Sequence, residues 1–378
     1  MTSTTHDSFF GGLRRHPDVE APNLQAWDAT DRLLLDWWQH EGAPGTRLVV
    51  VGDRYGALAV GARLLGAADV RVHQDLITGE RALRNNAAAA GVSTGITQLP
   101  LGAQLLAGAD VVLLQLPKTL AELEEIVDAV ARYAAEGAIL VAGGRIKHMT
   151  LAMNGILGQS FDTVQPQRAR QKSRLLVARG LQRPTDVPPY PRVEHQRDLD
   201  LEIAAHGAVF AGTKLDIGTR FLLTFMEEMP RVGHAVDLGC GTGILAAMYA
   251  RSSPRSLVTA SDRSAAAVAS AAATAAANRL ADQIHCLQDD ALESLEPASV
   301  DLVLLNPPFH LESSVHAGAG LKMFDAAARI LRPGGQLWTV YNSHLTYLPA
   351  LNKVVGATKV KGRNPKFTVA LSVRRDDS

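Results

Sequence analysis

Cysteine is nearly missing. Cys240 and Cys286 are the two in 378 residues, too few for a disulfide framework, so stability has to come from a buried core. Charge of one sign is not in excess: 38 basic residues face 38 acidic ones. That balance gives no global sign of nucleic acid and leaves any such contact to local clusters. Apolar runs long enough to cross a bilayer are lacking, since even the alanine-rich stretch 265–277 is broken by Ser270 and Thr274 and has few bulky side chains. The first ten residues stay polar up to Phe9, without the basic-then-apolar order of a secretion signal. These absences point to a soluble, cytoplasmic protein that touches no membrane, holds no metal and acts as a monomer.

What is present is a globular composition, 47% apolar, and an internal repeat. RLVVVG (47–52) reads as a buried strand ending in glycine, and HAVDLG (234–239) reads the same way. With Gly52 set on Gly239, Gly56 falls on Gly243 and Asp75 on Asp262. Further along, DVVLLQLPK (110–118) matches DLVLLNPPF (301–309), and EGAILVAG (136–143) matches GGQLWTVY (334–341). Strands alternating with helices imply a mostly parallel sheet covered on both faces. The spacing therefore predicts two α/β domains of one type, 1–185 and 200–378. Between them 186–199 reads as a linker, because four prolines crowd 181–199. A helix is expected at Phe221–Met226, and 1–25 is expected to be loosely packed.

DLGCGTG (237–243) follows a strand and opens a helix. Glycines let the chain turn tightly and approach a ligand, and the helix start offers free N–H groups. VTASD (258–262) ends a second strand about twenty residues on, placing Asp262 to accept ribose hydroxyls. Asp290, at the end of a third, reads equally as an adenine contact or a helix N-cap. NPPFH (306–310) closes the buried strand DLVLL at the edge where α/β sheets bind ligands. Its prolines stiffen the turn and remove two donors, leaving the Asn306 side-chain oxygen and the Pro307 carbonyl as acceptors. Acceptors on a rigid loop suit a planar amine, and Phe309 can stack on its ring. His310 reads equally as a substrate contact or the end of the turn.

Together these motifs resemble class I methyltransferases. The doubled fold, KLDIGTRFLL (214–223) and NPPFH (306–310) resemble the RsmC/RlmG family of rRNA guanine-N2 methyltransferases. PNLQAW (22–27), GALA (56–59) and LPKTLAELE (116–124) look more like the RlmG branch. The resemblance implies two tandem Rossmann-like class I methyltransferase domains, the N-terminal one degenerate. It implies S-adenosylmethionine as cofactor and a guanine of 23S ribosomal RNA as substrate. It places Asp237, Gly239, Gly241 and Gly243 at the cofactor, Asp262 on its ribose, and Gly218 and Thr219 on a lead-in over it. Asn306, Pro307 and Phe309 fall at the target base. The alternatives are a 16S rRNA substrate, a protein glutamine amide, and a non-catalytic RNA-binding assembly factor; the intact second site argues against the last.

In the first half GDRYG (52–56) replaces GCGTG, putting Arg54 and Tyr55 where glycine and threonine would admit a cofactor. QLPK (115–118) replaces NPPF. Charge there is segregated: 137–185 holds eight basic residues and one acid, Asp162. Arg168, Arg170, Lys172 and Arg174 alternate, as on one face of a strand, and form a candidate phosphate contact. Lys353, Lys359, Lys361, Arg363 and Lys366 could extend it.

Overall fold

The computed structural model describes residues 9–308 and 314–376. The chain divides into two compact units, Met1–Tyr190 and Pro191–Ser378.

In the first unit the strands are β1 (Leu48–Val51), β2 (Val70–His73), β3 (Ile96–Gln98), β4 (Val111–Gln115), β5 (Ile139–Arg145), β6 (Phe161–Pro166) and β7 (Ser173–Leu181). Their order across the sheet is β3-β2-β1-β4-β5-β7-β6. β1 to β5 pair in parallel, whereas β7 runs antiparallel to β5 and β6. LVVV and VVLLQ are buried along their whole length, as apolar strands covered on both faces must be.

The second unit opens on a ribbon, β8 (Arg192–Gln196) against β9 (Leu201–Ala205). It then repeats the first plan with β10 (His234–Leu238), β11 (Leu257–Asp262), β12 (Ile284–Gln288), β13 (Val300–Leu305), β14 (Leu331–Asn342), β15 (Thr358–Arg363) and β16 (Phe367–Val373). The order β12-β11-β10-β13-β14-β16-β15 is the same permutation. Strand order reverses between β10 and β13, so the two strand ends that carry the glycine turn and the Asn306 turn lie side by side at a topological switch point.

Three local expectations change. Arg192–Gln196, read as linker, is a strand: the four prolines all precede it, at 184, 188, 189 and 191, and the sequence after them is free to pair. The lead-in helix runs over Ile217–Leu223, earlier than expected, because the Asp216 carboxylate accepts from Thr219 N–H and caps it there. Residues 9–25 are not loose throughout. Phe10 and Leu13 are buried in the core, with Phe10 against Trp27 at 4.7 Å and the Arg32 guanidinium over both rings.

The helix Ala265–Ala277 is alanine-rich, favourable for helix, and Ser264 caps it. Its polar residues Ser270 and Thr274, with Asn278 just beyond, are spaced four apart and face β9. Ser270 accepts from His206 N–H, Thr274 from Ala204 N–H, and Asn278 bonds both backbone groups of Glu202. A row of side chains thus satisfies the free edge of β9.

Candidate active site

The glycine turn leaves β10 at Leu238. Gly239, Gly241 and Gly243 all hold left-handed backbone, at φ +72°, +53° and +77°. At Gly243 a Cβ would lie 3.0 Å from the Ala271 Cα, so glycine also allows close packing of the Ala265–Ala277 helix. Above Gly241 no atom of the described residues lies within 4 Å of such a position.

Beneath the turn, Asp237 is 1% exposed. Its Oδ2 accepts from Ala246 N–H at 2.9 Å. Its Oδ1 is buried with no hydrogen-bond partner among the described residues. Desolvation, reinforced by the neighbouring Asp262 charge, pushes its carboxyl up to about 7. Asp262 ends β11 and accepts from Gly241 N–H at 3.1 Å and Ser264 N–H at 3.0 Å. It ties the turn to the next strand while keeping acceptor capacity. An orphaned buried carboxylate oxygen, a second carboxylate and a glycine with room above it among the described residues fit a ligand with a cationic end and hydroxyls. Asp290 Oδ2 accepts from Lys322 Nζ at 2.5 Å, a partner that the sequence reading did not include. Cys240 lies inside the turn, and burial pushes its thiol well up, so it offers no nucleophile.

Asn306 follows β13. Its Nδ2 donates to Asp216 Oδ2 at 3.0 Å and to Thr219 Oγ1 at 2.8 Å. Asp216 can only accept, which fixes the amide's orientation. Both N–H bonds are used, and Oδ1 is buried and unpartnered among the described residues. Gly218 flanks it: a Cβ there would sit 3.3 Å from that Oδ1. Thr219, which the resemblance sets over the cofactor with Gly218, accepts from Asn306 through its hydroxyl oxygen and keeps its O–H as a donor. Pro307 is buried and Pro308 exposed; Phe309 and His310 lie outside the described residues.

The turn of the first unit keeps its outer glycines, Gly52 at φ +80° and Gly56 at φ +96°. Tyr55 supplies the bulk between them. Its phenol donates to Asp18 at 2.6 Å, and the Arg15 guanidinium lies 4.7 Å from its ring. Arg54 instead turns outward, with 61% of its side chain exposed, toward Asp28 at 4.0 Å.

The basic cluster is not one strand face. Arg168, Arg170 and Lys172 lie on the turn between β6 and β7, which Gln171 and Lys172 close in left-handed backbone; only Arg174 belongs to β7. Period-two alternation needs extended chain, and the Arg170–Ser173 bridge ends it here. Arg168, Arg170 and Lys172 are exposed; Arg170 pairs with Asp36 at 3.2 Å. In the second unit Lys359, Lys361 and Arg363 lie on β15, Lys366 on the turn to β16, and Lys353 on the helix Leu348–Val354. Lys361 is paired with Glu228 at 2.5 Å.

Residues 1–182 match the family model of the RLMG N-terminal domain and 200–371 that of the methyltransferase small domain. The ribosomal RNA large subunit methyltransferase G of Pseudomonas paraeruginosa is 35% identical over 359 residues, covering 94% of this chain and 96% of that protein. The chain belongs to the ribosomal RNA large subunit methyltransferase G family. The Streptomyces coelicolor member is 34% identical over 377 residues, covering 96% and 97%. Among solved structures, the T. thermophilus 16S rRNA N2 G1207 methyltransferase (RsmC), in complex with AdoMet and guanosine, superposes with a TM-score of 0.75. It is 23% identical, with 96% of this chain and 94% of that one covered. The doubled methyltransferase fold is thus shared across the whole chain. Asp216 and Lys322 are the two site residues that sequence reasoning passed over. Asp216 had a signal, an Asp three residues before Thr219 at a helix start; Lys322 had none.

Proposed function

We propose that the second unit transfers a methyl group from S-adenosylmethionine to the exocyclic N2 amine of a guanine in ribosomal RNA, that of the large subunit. The observation that carries this is the orphaned Oδ1 of Asn306, an acceptor with both amide donors already engaged. When bound, the cofactor supplies an electrophilic methyl on a sulfonium. Asp237, Gly239, Gly241 and Gly243 hold it, Asp262 takes its ribose, and Asp290, shared with Lys322, borders its adenine. Gly218 leaves room beside Asn306 for the amine.

The guanine N2 lone pair is delocalised into the ring. Asn306 Oδ1 and the Pro307 carbonyl accept its two hydrogens, localise the lone pair and aim it at the methyl. As the N–C bond forms and the methyl–sulfur bond breaks, its electron pair staying with a neutral thioether, the nitrogen becomes positive and both acceptors bind it more strongly, which is where they lower the barrier. The extra proton then leaves to water. Phe309 stacks on the base, which must be out of a paired helix to reach this turn. The first unit, with its turn closed by Tyr55, serves as an RNA-binding platform through Arg168, Arg170, Lys172 and Arg174. A ribosomal RNA substrate goes with a cytoplasmic protein, and with the proposed site drawn from one unit we read it as a monomer.

The test is single-turnover methylation at saturating RNA and labelled cofactor, with the label mapped. Asn306→Ala should lose about 10²–10³ in rate while both ligands still bind. Retention of more than roughly a tenth of the rate, against that expected loss, overturns the mechanism. Label found in protein rather than RNA would favour a glutamine amide.

A further inference from the structure

Asn306 does not stand alone on its turn. Its amide is gripped by two groups from one helix start, the Asp216 carboxylate and the Thr219 hydroxyl, at 3.0 and 2.8 Å. The same Asp216 oxygen caps that helix by accepting from Thr219 N–H at 3.0 Å. The geometry points to Asp216 and Thr219 as positioning residues that hold the Asn306 amide with its oxygen facing the target amine and raise that oxygen's negative charge. This rests on the reading that Asn306 accepts from the amine.

The physical reasons are two. A free primary amide at the end of a strand can turn over, exchanging an acceptor for a donor. With a donor facing the amine, the lone pair would not be localised. The Asp216 carboxylate can only accept, so the flipped state would set the amide oxygen against an anion, while the Thr219 hydroxyl supplies a second acceptor in the observed state. Hydrogen bonds donated by an amide nitrogen also polarise the amide, moving charge onto Oδ1, and charge-assisted ones do so most. An arrangement fixed before the reaction needs no reorganisation as positive charge develops.

A purely architectural role is the competing account, since the contacts also join the lead-in helix to β13. Linked substitutions separate the two. Thr219→Val keeps shape and removes one acceptor. Thr219→Ser restores it. Asp216→Asn keeps a capping oxygen and removes the charge. In single-turnover methylation at saturating ligands, Thr219→Val should slow the reaction roughly three- to tenfold, and Asp216→Asn about tenfold or more. Thr219→Ser should recover most of the rate. Affinities for RNA and cofactor, and the melting temperature, should stay near wild type.

The decisive arm repeats both substitutions in an Asn306→Ala background. Groups that act through Asn306 have nothing left to act on, so each should change that residual rate by less than about twofold. Equal losses in both backgrounds, or no loss in the first, overturn the assignment. Weakened cofactor affinity in Thr219→Val would return Thr219 to the cofactor. Failure of the parent reading looks different: Asn306→Ala itself would then keep its rate.

Discussion

Gln115 donates its side-chain amide to Asp31 across 2.5 Å. It does so from the strand end that in the second unit carries Asn306, and to the third helical position after an Asp cap, where the second unit has Thr219. The contact between lead-in helix and fourth strand is therefore built into both copies; in the second, the side-chain oxygen beside it, Asn306 Oδ1, is buried and without a partner among the described residues.

Asp31 is fully buried, and desolvation together with the nearby Asp28 charge raises its carboxyl to about 7. The folded value lies above the unfolded one. Its contribution to stability is thus greatest below the ordinary carboxylate range and is lost as pH climbs through about 7. Asp31→Asn should remove that loss, because Gln115 can turn its amide to suit. Thermal melts should show the variant gaining on wild type from pH 4 to pH 7, with a difference of roughly 2–4 °C for each kcal/mol relieved in a unit of this size. A gain independent of pH would show that Asp31 stays ionised in the fold.

Asp262→Ala should weaken cofactor binding about tenfold to a hundredfold, the range of charge-assisted hydrogen bonds. RNA affinity should hardly move. Asp75→Ala, the matching change in the first unit, should leave cofactor titrations untouched and their stoichiometry at one per chain. Calorimetry reads both. Wild-type affinity in Asp262→Ala would reduce that residue to a fastener of the turn.

Replacing Arg168, Arg170, Lys172 and Arg174 together by Ala should weaken RNA binding and flatten its salt dependence. Arg168 and Lys172 are exposed and make no ion pair among the described residues, whereas Arg170 is paired and Arg174 is half-buried. The slope of log affinity against log salt should accordingly fall by about two contacts' worth, roughly 0.7–0.9 for each phosphate. An unchanged slope would make the hairpin a solvated surface.

The order of elements was legible because glycine turns and buried strands sit at matching places in the two halves, and Gly52 and Gly239 alone nearly align them. The strand ends that carry Asp262 and Asn306 were legible because each motif closes an apolar run, whereas Asp237 came only with the family resemblance. Less legible was anything set by a long-range partner. Lys322 meets Asp290 from a helix that no spacing links to it. The Thr219 contact is of the same kind, for the sequence shows a hydroxyl on the lead-in helix but not the Asn306 amide that donates to it. The basic run of 168–174 looked like a strand because alternation survives in the letters even when two left-handed residues fold the chain back.

The two glycine turns separate shape from recognition. Their outer positions are claimed by the corner itself, for a Cβ at Gly56 would lie 3.0 Å from the Leu83 Cα, as one at Gly243 would from Ala271. The centre is unclaimed. Among the described residues Gly241 has open space above it, and in the first unit Arg54 takes the same place in the sequence without left-handed backbone. A corner of this kind can change its central residue without surrendering its stability, since the close packing that requires glycine sits at the outer position and not at the centre. Duplication of the unit then gives one chain both a blank face and a working one on the same frame, each open to change without endangering the other.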